Sequence, residues 1–432
     1  MKKLLALAAE YDMLPPDSLI LCALSGGADS VCMTHFLWEH QTAGGYRIAA
    51  AHFNHHLRGE ASDSDQTFVA DFCAGLGIPL TIGGGDVAAR GGNTEEAARQ
   101  MRYAFLEETA ATLGANRIAT AHNGDDNLES LLLNLTRGCG LNGLTGIPPR
   151  RGDIVRPLLT TSRAEIMAYL AAHHLGHVED ATNEDTSYAR NRLRHQVLPV
   201  LRSLNPNVVS SAADTVAFLR QDNDFITAQA AKLCAAAVQK DGDVVLPAPP
   251  LARAPAAVAA RCVPLLLGRL GRQTAASAKH IAAVLALARS GDPSGRISLP
   301  GGITVSKDYD FLRFSQKTAP AALETIPLYE GTNPIPGTNW VVTVTQEIPG
   351  LVARSRQIGD SVTLPKVGVK TVKDWMIDKK VPSRLRSLLP VVADENGVLA
   401  LGGFGRNPGH PLASSVTLTH LQPPPHIDEK DD

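Results

Sequence analysis

The stretch Ser25-Gly26-Gly27-Ala28-Asp29-Ser30 places two glycines and three polar side chains between an apolar run and a helix-like pattern. A strand that ends in glycines and leads into a helix presents free backbone N–H groups, and such a nest binds phosphate. The glycines allow positive φ and a close approach of the backbone to a ligand. No lysine follows them, so this is not the Walker pattern. The stretch predicts a phosphate loop with Asp29 near a magnesium ion; the alternative is a plain turn that Asp29 caps.

Acidic residues also follow the apolar run Arg117–Ala121, which ends just before His122. Asp126 and Glu129 are three residues apart, so a helix would place them on one face. One interpretation is that these carboxylates only favour the first helical turn, where the helix dipole stabilises negative charge. The other is a paired acidic site that binds a cation such as an ammonium group. The spacing alone leaves both interpretations open.

Arginines recur in two further segments. Arg99 and Arg102 lie three apart, which predicts a shared helix face that is either solvated or turned towards phosphate. Between Thr186 and Arg202 there are four arginines and no acid. Arginine provides planar forks for phosphates and bases, so this run predicts anion contacts, with a solvated helix as the alternative.

Three histidines, His52, His55 and His56, lie at and just after the end of the second predicted strand, at a position where open α/β sheets bind ligands. A zinc site is conceivable from three histidines, but no cysteine or fourth ligand has metal-like spacing, so no metal site is predicted. The six cysteines are scattered, without any C-x-x-C pair. Two of them, Cys22 and Cys32, lie in apolar runs and are predicted to be small buried residues in a reducing, cytoplasmic setting.

Alternating elements must position these residues. The pattern predicts strands at Leu19–Leu24, Arg47–Phe53, Ile78–Ile82 and Arg117–Ala121, and helices at Ser30–His40, Asp63–Leu76, Thr94–Leu113, Asp125–Arg137 and Ser162–His174. Such alternation is typical of βαβ units that form a parallel sheet with helices on both faces, a Rossmann-like α/β fold.

Four segments are predicted along the chain: an α/β domain with the phosphate loop at 1–205, a mostly helical middle domain at 206–318, a small α+β domain at 335–420 and a disordered tail at 421–432. The middle domain is predicted to contain helical stretches at Ser210–Ala236 and Ala256–Arg289, followed by short β-like runs. The segment QKTAPAALETIPLYEGTNPIPG, residues 316–337, is interpreted as a linker.

Composition sets further limits. The chain has 432 residues, of which 44% are hydrophobic and 19% charged, and its formal net charge is −2. It has no run as long as a membrane span. Nucleic acid could bind only where basic residues are concentrated. Such a window lies at 354–390, with nine Lys or Arg against three acids.

Ser25–Ser30 resembles the S-G-G-x-D-S loop of the N-type ATP pyrophosphatases, also called the PP-loop superfamily. The order of five motifs from Ser18 to Pro206, together with the segment Lys370–Asp394, narrows the resemblance to the tRNA(Ile)-lysidine synthetase family. His122 is followed here by Asn123 and Gly124, where many members have another His and a small residue. This departure removes no residue that is given a role below.

The resemblance implies a ligase reaction. ATP adenylates C2–O of the wobble cytidine in a CAU-anticodon tRNA(Ile), and L-lysine then attacks C2 to give lysidine, AMP and pyrophosphate. It implies that Ser25–Ser30 and His122 bind ATP, with magnesium as part of the ATP complex, and that Asp29 and Arg102 are catalytic. Asp126 and Glu129 would hold lysine and take part in catalysis.

The tRNA partner is assigned to two groups of residues. By the resemblance, tRNA contacts are expected from Arg190, Asn191, Arg192, Arg194, Lys379, Lys380, Arg384 and Arg386. The middle domain at 206–318 is expected to contact the tRNA and the domain at 335–420 to bind it. A cytoplasmic location and no membrane partner are expected as well. The oligomeric state stays open, with a homodimer as one alternative.

Two other functions compete with this interpretation. A tRNA thiolase would need a reactive cysteine pair or an iron–sulfur cluster, and Cys139 stands alone in a glycine-rich loop. A catalytically silent RNA-binding protein would not need the complete loop or the acid pair. Release of pyrophosphate with and without lysine distinguishes the three.

Overall fold

The computed structural model describes residues 2–54, 60–85, 94–179, 189–271, 276–316, 322–365 and 367–421. The chain divides into two compact units, Met1–Asp224 and Phe225–Asp432. The three predicted domain boundaries remain predictions. The predicted tail from residue 422 onwards lies outside the described residues.

The first unit is built from alternating helices and strands. In chain order these are α1 (Lys2–Glu10), β1 (Leu19–Ala23), α2 (Ala28–Gly44), β2 (Arg47–Asn54), α3 (Glu60–Leu76), β3 (Leu80–Gly84), α4 (Thr94–Leu113), β4 (Arg117–Ala119), α5 (Gly124–Arg137), α6 (Leu141–Leu144), β5 (Arg150–Arg151), β6 (Ile154–Val155), α7 (Arg163–Ala172), α8 (Ala189–Arg192), α9 (Leu198–Leu204) and α10 (Val208–Cys234), whose last residues belong to the second unit.

The strands of this unit form one six-stranded sheet in the order β3-β2-β1-β4-β6-β5. All described pairs are parallel except β5 with β6. Alternate residues of β1 are buried on opposite faces: Ile20 and Cys22 pack with α2 and α7, whereas Leu21 packs with Leu106 of α4. Burial on both faces explains the unbroken apolar run of β1. The mostly parallel sheet, with helices packed on both faces, confirms the predicted Rossmann-like fold.

The strand order places a topological switch point between β1 and β4, because β2 follows β1 on one side and β4 lies on the other. Chain segments leaving the two neighbouring strands diverge there, which opens a crevice at their carboxyl ends. The phosphate-loop stretch leaves β1, and His122 leaves β4. The fold therefore brings together two motifs that are about 90 residues apart.

The second unit begins with helices packed on a sheet. It contains β7 (Val238–Lys240), β8 (Asp243–Pro247), α11 (Ala248–Arg253), α12 (Ala256–Gly268), α13 (Ala278–Arg289), β9 (Ser294–Leu299), β10 (Ile303–Asp308) and β11 (Phe311–Ser315). These strands form an antiparallel sheet, β7-β8-β11-β10-β9, over a shared apolar core. The helical stretch predicted as Ala256–Arg289 is in fact two helices, α12 and α13.

Its remaining part is rich in β-structure. It contains β12 (Ile326–Pro327), β13 (Gly331–Pro334), β14 (Trp340–Val344), β15 (Val352–Arg354), β16 (Ser361–Leu364), β17 (Gly368–Thr371), α14 (Val372–Asp378), β18 (Val391–Asp394), β19 (Gly397–Leu401), β20 (Gly405–Arg406) and β21 (Val416–His420). Strands β12 and β13 lie inside the segment interpreted as a linker, so that interpretation was wrong for those residues. Pairing with β15 and β14 stabilises extended backbone where the local sequence is rich in proline.

Candidate active site

The loop between β1 and α2 is held by its own serines. The Ser25 N–H donates to Ser30 Oγ at 3.2 Å, and Ser30 Oγ donates to the Gly27 carbonyl at 2.9 Å. Gly26 has φ +88°, and a Cβ there would lie 3.3 Å from the side chains of Val69 and Val178. Only glycine fits this position without strain. Gly27, not Asp29, is the N-cap of α2, so the alternative in which Asp29 caps the helix was wrong.

Asp29 faces another helix. Its Oδ1 accepts a hydrogen bond of 2.5 Å from Nη1 of Arg163, the first residue of α7. Both side chains are partly accessible, with 29% of Asp29 and 45% of Arg163 exposed. A carboxylate beside a phosphate loop that is reachable from solvent can bind a cation, and the arginine holds it in place.

The acid pair on α5 is bonded to arginines that sequence analysis had assigned to RNA. Glu129 is fully buried, and its two oxygens accept hydrogen bonds from Arg190 Nε at 2.8 Å and Arg194 Nε at 2.7 Å. Arg194 Nη2 also lies 3.2 Å from Asp126 Oδ1. The predicted acid pair and two members of the predicted RNA-contacting run thus form one cluster, which we call the acid–arginine cluster: Asp126, Glu129, Arg190 and Arg194.

Asp126 has two roles in this cluster. As the third residue of α5 it completes a capping box, in which Asn123 Oδ1 accepts from the Asp126 N–H and Asp126 Oδ2 accepts from the Asn123 N–H. Burial raises the pKa of Asp126, while the charge of Arg190 opposes that shift. The helix-end interpretation therefore applies to Asp126, while the binding of an ammonium group by this residue stays a prediction.

Asp125, a residue without an assigned role in the sequence, connects the site to two other helices. Its Oδ2 accepts from the Arg163 N–H at 2.7 Å, and its Oδ1 pairs with Arg202 of α9. Asp125 is buried. It anchors the first turn of α7, which carries the arginine that contacts Asp29.

A second group of arginines surrounds one aromatic ring. The guanidinium carbons of Arg99, Arg102 and Arg151 lie 5.2, 5.8 and 6.0 Å from the ring centroid of Tyr103. Arg156 is buried with 3% exposed; its Nη1 donates to the Pro148 carbonyl at 2.7 Å. We call this set the arginine cluster: Arg99, Arg102, Arg151 and Arg156.

No carboxylate in the part of the chain that the structure describes lies within 4.0 Å of a guanidinium nitrogen of the arginine cluster. Within that same part, Arg156 Nε has no hydrogen-bond partner. Burial lowers the pKa of both Arg102 and Arg156. Arg156 is buried and Arg102 half-buried, whereas Arg99 and Arg151 are exposed. A cation that is shielded from water and has no counter-charge is costly, so the side of this cluster formed by Arg102 and Arg156 suits an anion.

His122 lies beside this cluster. Burial, reinforced by the nearby charges of Arg156 and other arginines, lowers the pKa of His122 to about 3. Its Nδ1 is 3.2 Å from Thr120 Oγ1. The imidazole is therefore neutral near pH 7, and it can donate or accept a hydrogen bond but supplies no charge.

The basic residues near the C-terminus have different surroundings. Lys379 and Lys380 are exposed. Arg384 Nε donates to Asp308 Oδ2 at 3.3 Å, and Arg386 is buried with its Nε 2.9 Å from the Val381 carbonyl. Arg386 thus lies where a phosphate cannot reach its Nε in this conformation. The two lysines are the members of this predicted tRNA-contacting set that solvent reaches freely.

Other predicted residues have simpler positions. His52 is buried, and its Nδ1 donates to the Leu24 carbonyl at 2.9 Å, which is a structural role. His55 and His56 lie outside the described residues. Arg192 is exposed, and Asn191 is half-buried.

The sequence motifs assign no role to Arg151, Arg156 or Arg163, and they include Arg202 only as the last member of the arginine-rich run that begins after Thr186. Arg156 directly follows strand β6, and the end of a parallel strand was the one signal that could have pointed to it. Arg163 and Arg202 carry no local signature, since their partners are 134 and 77 residues away.

The switch-point crevice with its serine–glycine loop defines the class of protein. A PP-loop domain model matches residues 2–201, a TilS substrate-binding domain model matches 246–316, and a TilS substrate C-terminal domain model matches 351–417. The first match confirms the PP-loop fold and the use of ATP that it implies.

Relatives specify the family. The tRNA(Ile)-lysidine synthase of Geobacter sulfurreducens is 33% identical over 441 residues, which cover 94% of this chain and 93% of that protein. That of Symbiobacterium thermophilum is 33% identical over 450 residues, 92% of each. The bifunctional protein TilS/HprT of Listeria monocytogenes is 33% identical over 427 residues, but the chain spans only 65% of its length. The chain belongs to the tRNA(Ile)-lysidine synthase family of ATP-dependent ligases.

No helix in the described part of the chain is long and apolar enough to span a bilayer.

Proposed function

We propose that this chain ligates L-lysine to C2 of the wobble cytidine of CAU-anticodon tRNA(Ile), through an adenylated cytidine, and releases AMP and pyrophosphate. One observation carries the proposal. A preformed phosphate loop and an acid pair, of which Glu129 is buried and Asp126 half-buried, lie at the ends of the neighbouring strands β1 and β4. One ligand carrying phosphates and one carrying ammonium groups can meet there.

The first step is adenylation. C2–O of the cytidine attacks the α-phosphorus of ATP, the bond to the pyrophosphate breaks, and the carbonyl oxygen becomes part of a good leaving group. Ser25–Ser30 bind the β- and γ-phosphates through backbone N–H groups. Arg102 offsets the charge that develops on the α-phosphate, and His122 contacts the nucleotide as a neutral hydrogen-bonding group.

The arginine cluster explains why this site needs an anion. Its four cations have no carboxylate partner among the described residues, and a triphosphate or an RNA phosphate supplies the missing charge. We assign Arg99, Arg151 and Arg156 to phosphate binding beside Arg102. This assignment goes beyond the residues that the sequence motifs indicated.

Magnesium would enter with ATP. The carboxylate of Asp29 fits it, because it is an oxygen donor at the phosphate loop and is partly exposed. The ion would supply positive charge to the phosphates. In its absence Arg163 neutralises Asp29.

The second step is attack by lysine. Its amine nitrogen bonds to C2, the C2–O bond breaks, and AMP leaves with that oxygen. Asp126 and Glu129 hold the ammonium groups of lysine. Both Glu129 oxygens already accept from arginine, so lysine must displace a guanidinium or bind at Asp126. The raised pKa of Asp126 suits it to remove a proton from the attacking amine.

Binding of the tRNA body is assigned to Lys379 and Lys380 and to the exposed Arg192, through phosphate contacts. The cytoplasmic location also belongs to this proposal. The homodimer remains a prediction that light scattering would test.

The deciding experiment is mass spectrometry of unmodified CAU-anticodon tRNA(Ile) after incubation with ATP and lysine. We expect a gain equal to lysine minus water, and no gain when lysine is omitted. A mass gain that corresponds to sulfur would indicate a thiolase. Binding without pyrophosphate release would indicate a silent RNA-binding protein.

A further inference from the structure

A group of metal-ligating side chains lies away from the active site, between α2 and α7. His35 and Glu39 are four residues apart on α2, so they share one face. His173, the residue that ends α7, completes the group. One donor atom of each residue lies within 4.8 Å of the donor atoms of the other two.

Hydrogen bonds around Tyr169 determine which ring nitrogen His35 offers. The Tyr169 hydroxyl has a single proton and donates it to Glu39 Oε2 at 3.0 Å. Its oxygen therefore accepts from His35 Nδ1–H, at 2.8 Å. The neutral imidazole of His35 then carries its lone pair on Nε2. A histidine whose other nitrogen donates to an oxygen is the arrangement that orients metal ligands.

Two imidazole nitrogens and one carboxylate oxygen favour a late first-row divalent ion over calcium or magnesium, which bind oxygen ligands. The same set with one open position occurs in known zinc sites. Glu39 Oε1 accepts no hydrogen bond from the described residues and is available. His40 lies close to Glu39, but its Nδ1 donates to the Phe36 carbonyl and offers no lone pair there.

We propose that His35, Glu39 and His173 bind one zinc ion or a similar divalent transition metal, with Tyr169 orienting two of the three ligands. The ion would connect α2 to α7. The same helices are linked at their other ends by Asp29 and Arg163. A metal here would therefore stiffen the helix pair that carries these two active-site residues, independently of the reaction assigned to the chain.

The test uses full-length protein treated with a chelator and then dialysed. Isothermal titration with ZnCl2 should show one site per chain, and Co2+ should give the visible bands of a four-coordinate ion. His173→Asn and Glu39→Gln should each weaken zinc binding at least about tenfold, and Tyr169→Phe about 10- to 100-fold. Zinc should raise the Tm of the wild-type protein and not that of His173→Asn.

His174→Asn is the matched control. It changes the neighbouring histidine, which is exposed and has φ +55°, a conformation that asparagine tolerates. This variant should bind zinc like the wild type. Absence of a stoichiometric site in the wild type would overturn the proposal. So would equal zinc affinity in His173→Asn and wild type, since the ion would then be held elsewhere, for example by His55 and His56.

Discussion

The acid–arginine cluster and the arginine cluster lie in the same unit and differ in one respect. In the first, Arg190 and Arg194 each bond to the buried Glu129. In the second, the four arginines have no carboxylate partner among the residues described. Among those residues, Nε of the buried Arg156 has no hydrogen-bond partner of any kind. The protein itself neutralises the acid–arginine cluster, whereas the described residues supply no carboxylate to the arginine cluster.

This difference separates stability from binding. Removing one member of a buried ion pair leaves the other charge unpaired, which costs folding free energy. Removing a cation that has no carboxylate partner leaves no opposite charge unpaired, but it takes away a binding site for an anion. Substitutions in the two clusters should therefore have different effects on unfolding and on ligand binding.

The largest effect is expected for Asp29→Ala at the phosphate loop. Pyrophosphate release should fall about 100-fold or more, because the position of the phosphates and of their cation depends on this carboxylate. Binding of tRNA should be unchanged. Asp71→Ala, an exposed acid on α3, serves as the control and should retain full activity. Near-normal pyrophosphate release from Asp29→Ala would reduce Asp29 to a structural partner of Arg163.

Glu129→Gln tests the acid–arginine cluster. The KM for lysine should rise about 10- to 150-fold, the effect of roughly 1.5–3 kcal/mol from one lost charge-assisted contact. Unfolding in urea should also become easier by about 1–3 kcal/mol, a range reduced because both arginines are partly exposed. A weakened ATP dependence with an unchanged lysine dependence would place Glu129 at the magnesium site instead.

Arg156→Gln tests the arginine cluster. The KM for ATP should rise about tenfold, the effect of roughly 1.4 kcal/mol, because a cation near the phosphates is lost. The free energy of unfolding should fall by only about 1 kcal/mol, the effect of the lost hydrogen bond to the Pro148 carbonyl, since no carboxylate is left unpaired. A loss of stability as large as that of Glu129→Gln would reveal a counter-charge for Arg156 and remove the distinction between the clusters.

His122 gives a pH test of the same region. Its pKa of about 3 in the folded chain is below the ordinary value, so between pH 3 and 6.5 the unfolded chain binds a proton that the folded chain does not. The stability contributed by His122 is therefore lost as pH falls through this window, by up to about 1.4 kcal/mol per pH unit. His122→Asn should remove that dependence.

Urea unfolding at pH 7, 6 and 5 measures the effect. The wild type should lose stability relative to His122→Asn as the pH decreases. His174→Asn, at an exposed position, should follow the wild type. If the free energies of unfolding of wild type and His122→Asn changed equally with pH, the imidazole of His122 would not be shielded from water.

The smallest effect on function is expected in the second unit. There, too, some basic side chains are paired with a carboxylate and others are exposed. Arg354 makes two hydrogen bonds of 2.8 Å to Asp360, whereas Lys379 and Lys380 are exposed. Replacing both lysines by alanine should weaken tRNA binding a few-fold and flatten its salt dependence by about 0.7–0.9 per lost phosphate contact. Arg384→Ala should chiefly affect unfolding, because this side chain contacts Asp308. Equal salt slopes for the double variant and the wild type would show that the lysines do not touch RNA.

Much of the fold was predictable because its signals are local. Strand β1, helix α4 and the glycine-containing loop follow from apolar runs, helical periodicity and turn residues that lie next to one another in sequence. Boundaries were less accurate: β3 is Leu80–Gly84, two residues later than predicted, because pairing with β2 and not the local sequence determines where it ends. The strands in the predicted linker were missed for the same reason.

The sequence by itself determined the chemistry at the end of each strand: the serine–glycine loop with Asp29, then His122, then Asp126 and Glu129 in the first turns of one helix. Only the tertiary structure decided which charges are paired. Arg190 and Arg194 reach Glu129 across 61 and 65 residues, and Arg156 is buried without a carboxylate among the described residues. Helix and loop patterns depend on neighbours along the chain. Burial and charge pairing depend on which distant segments pack together, and no local pattern records that.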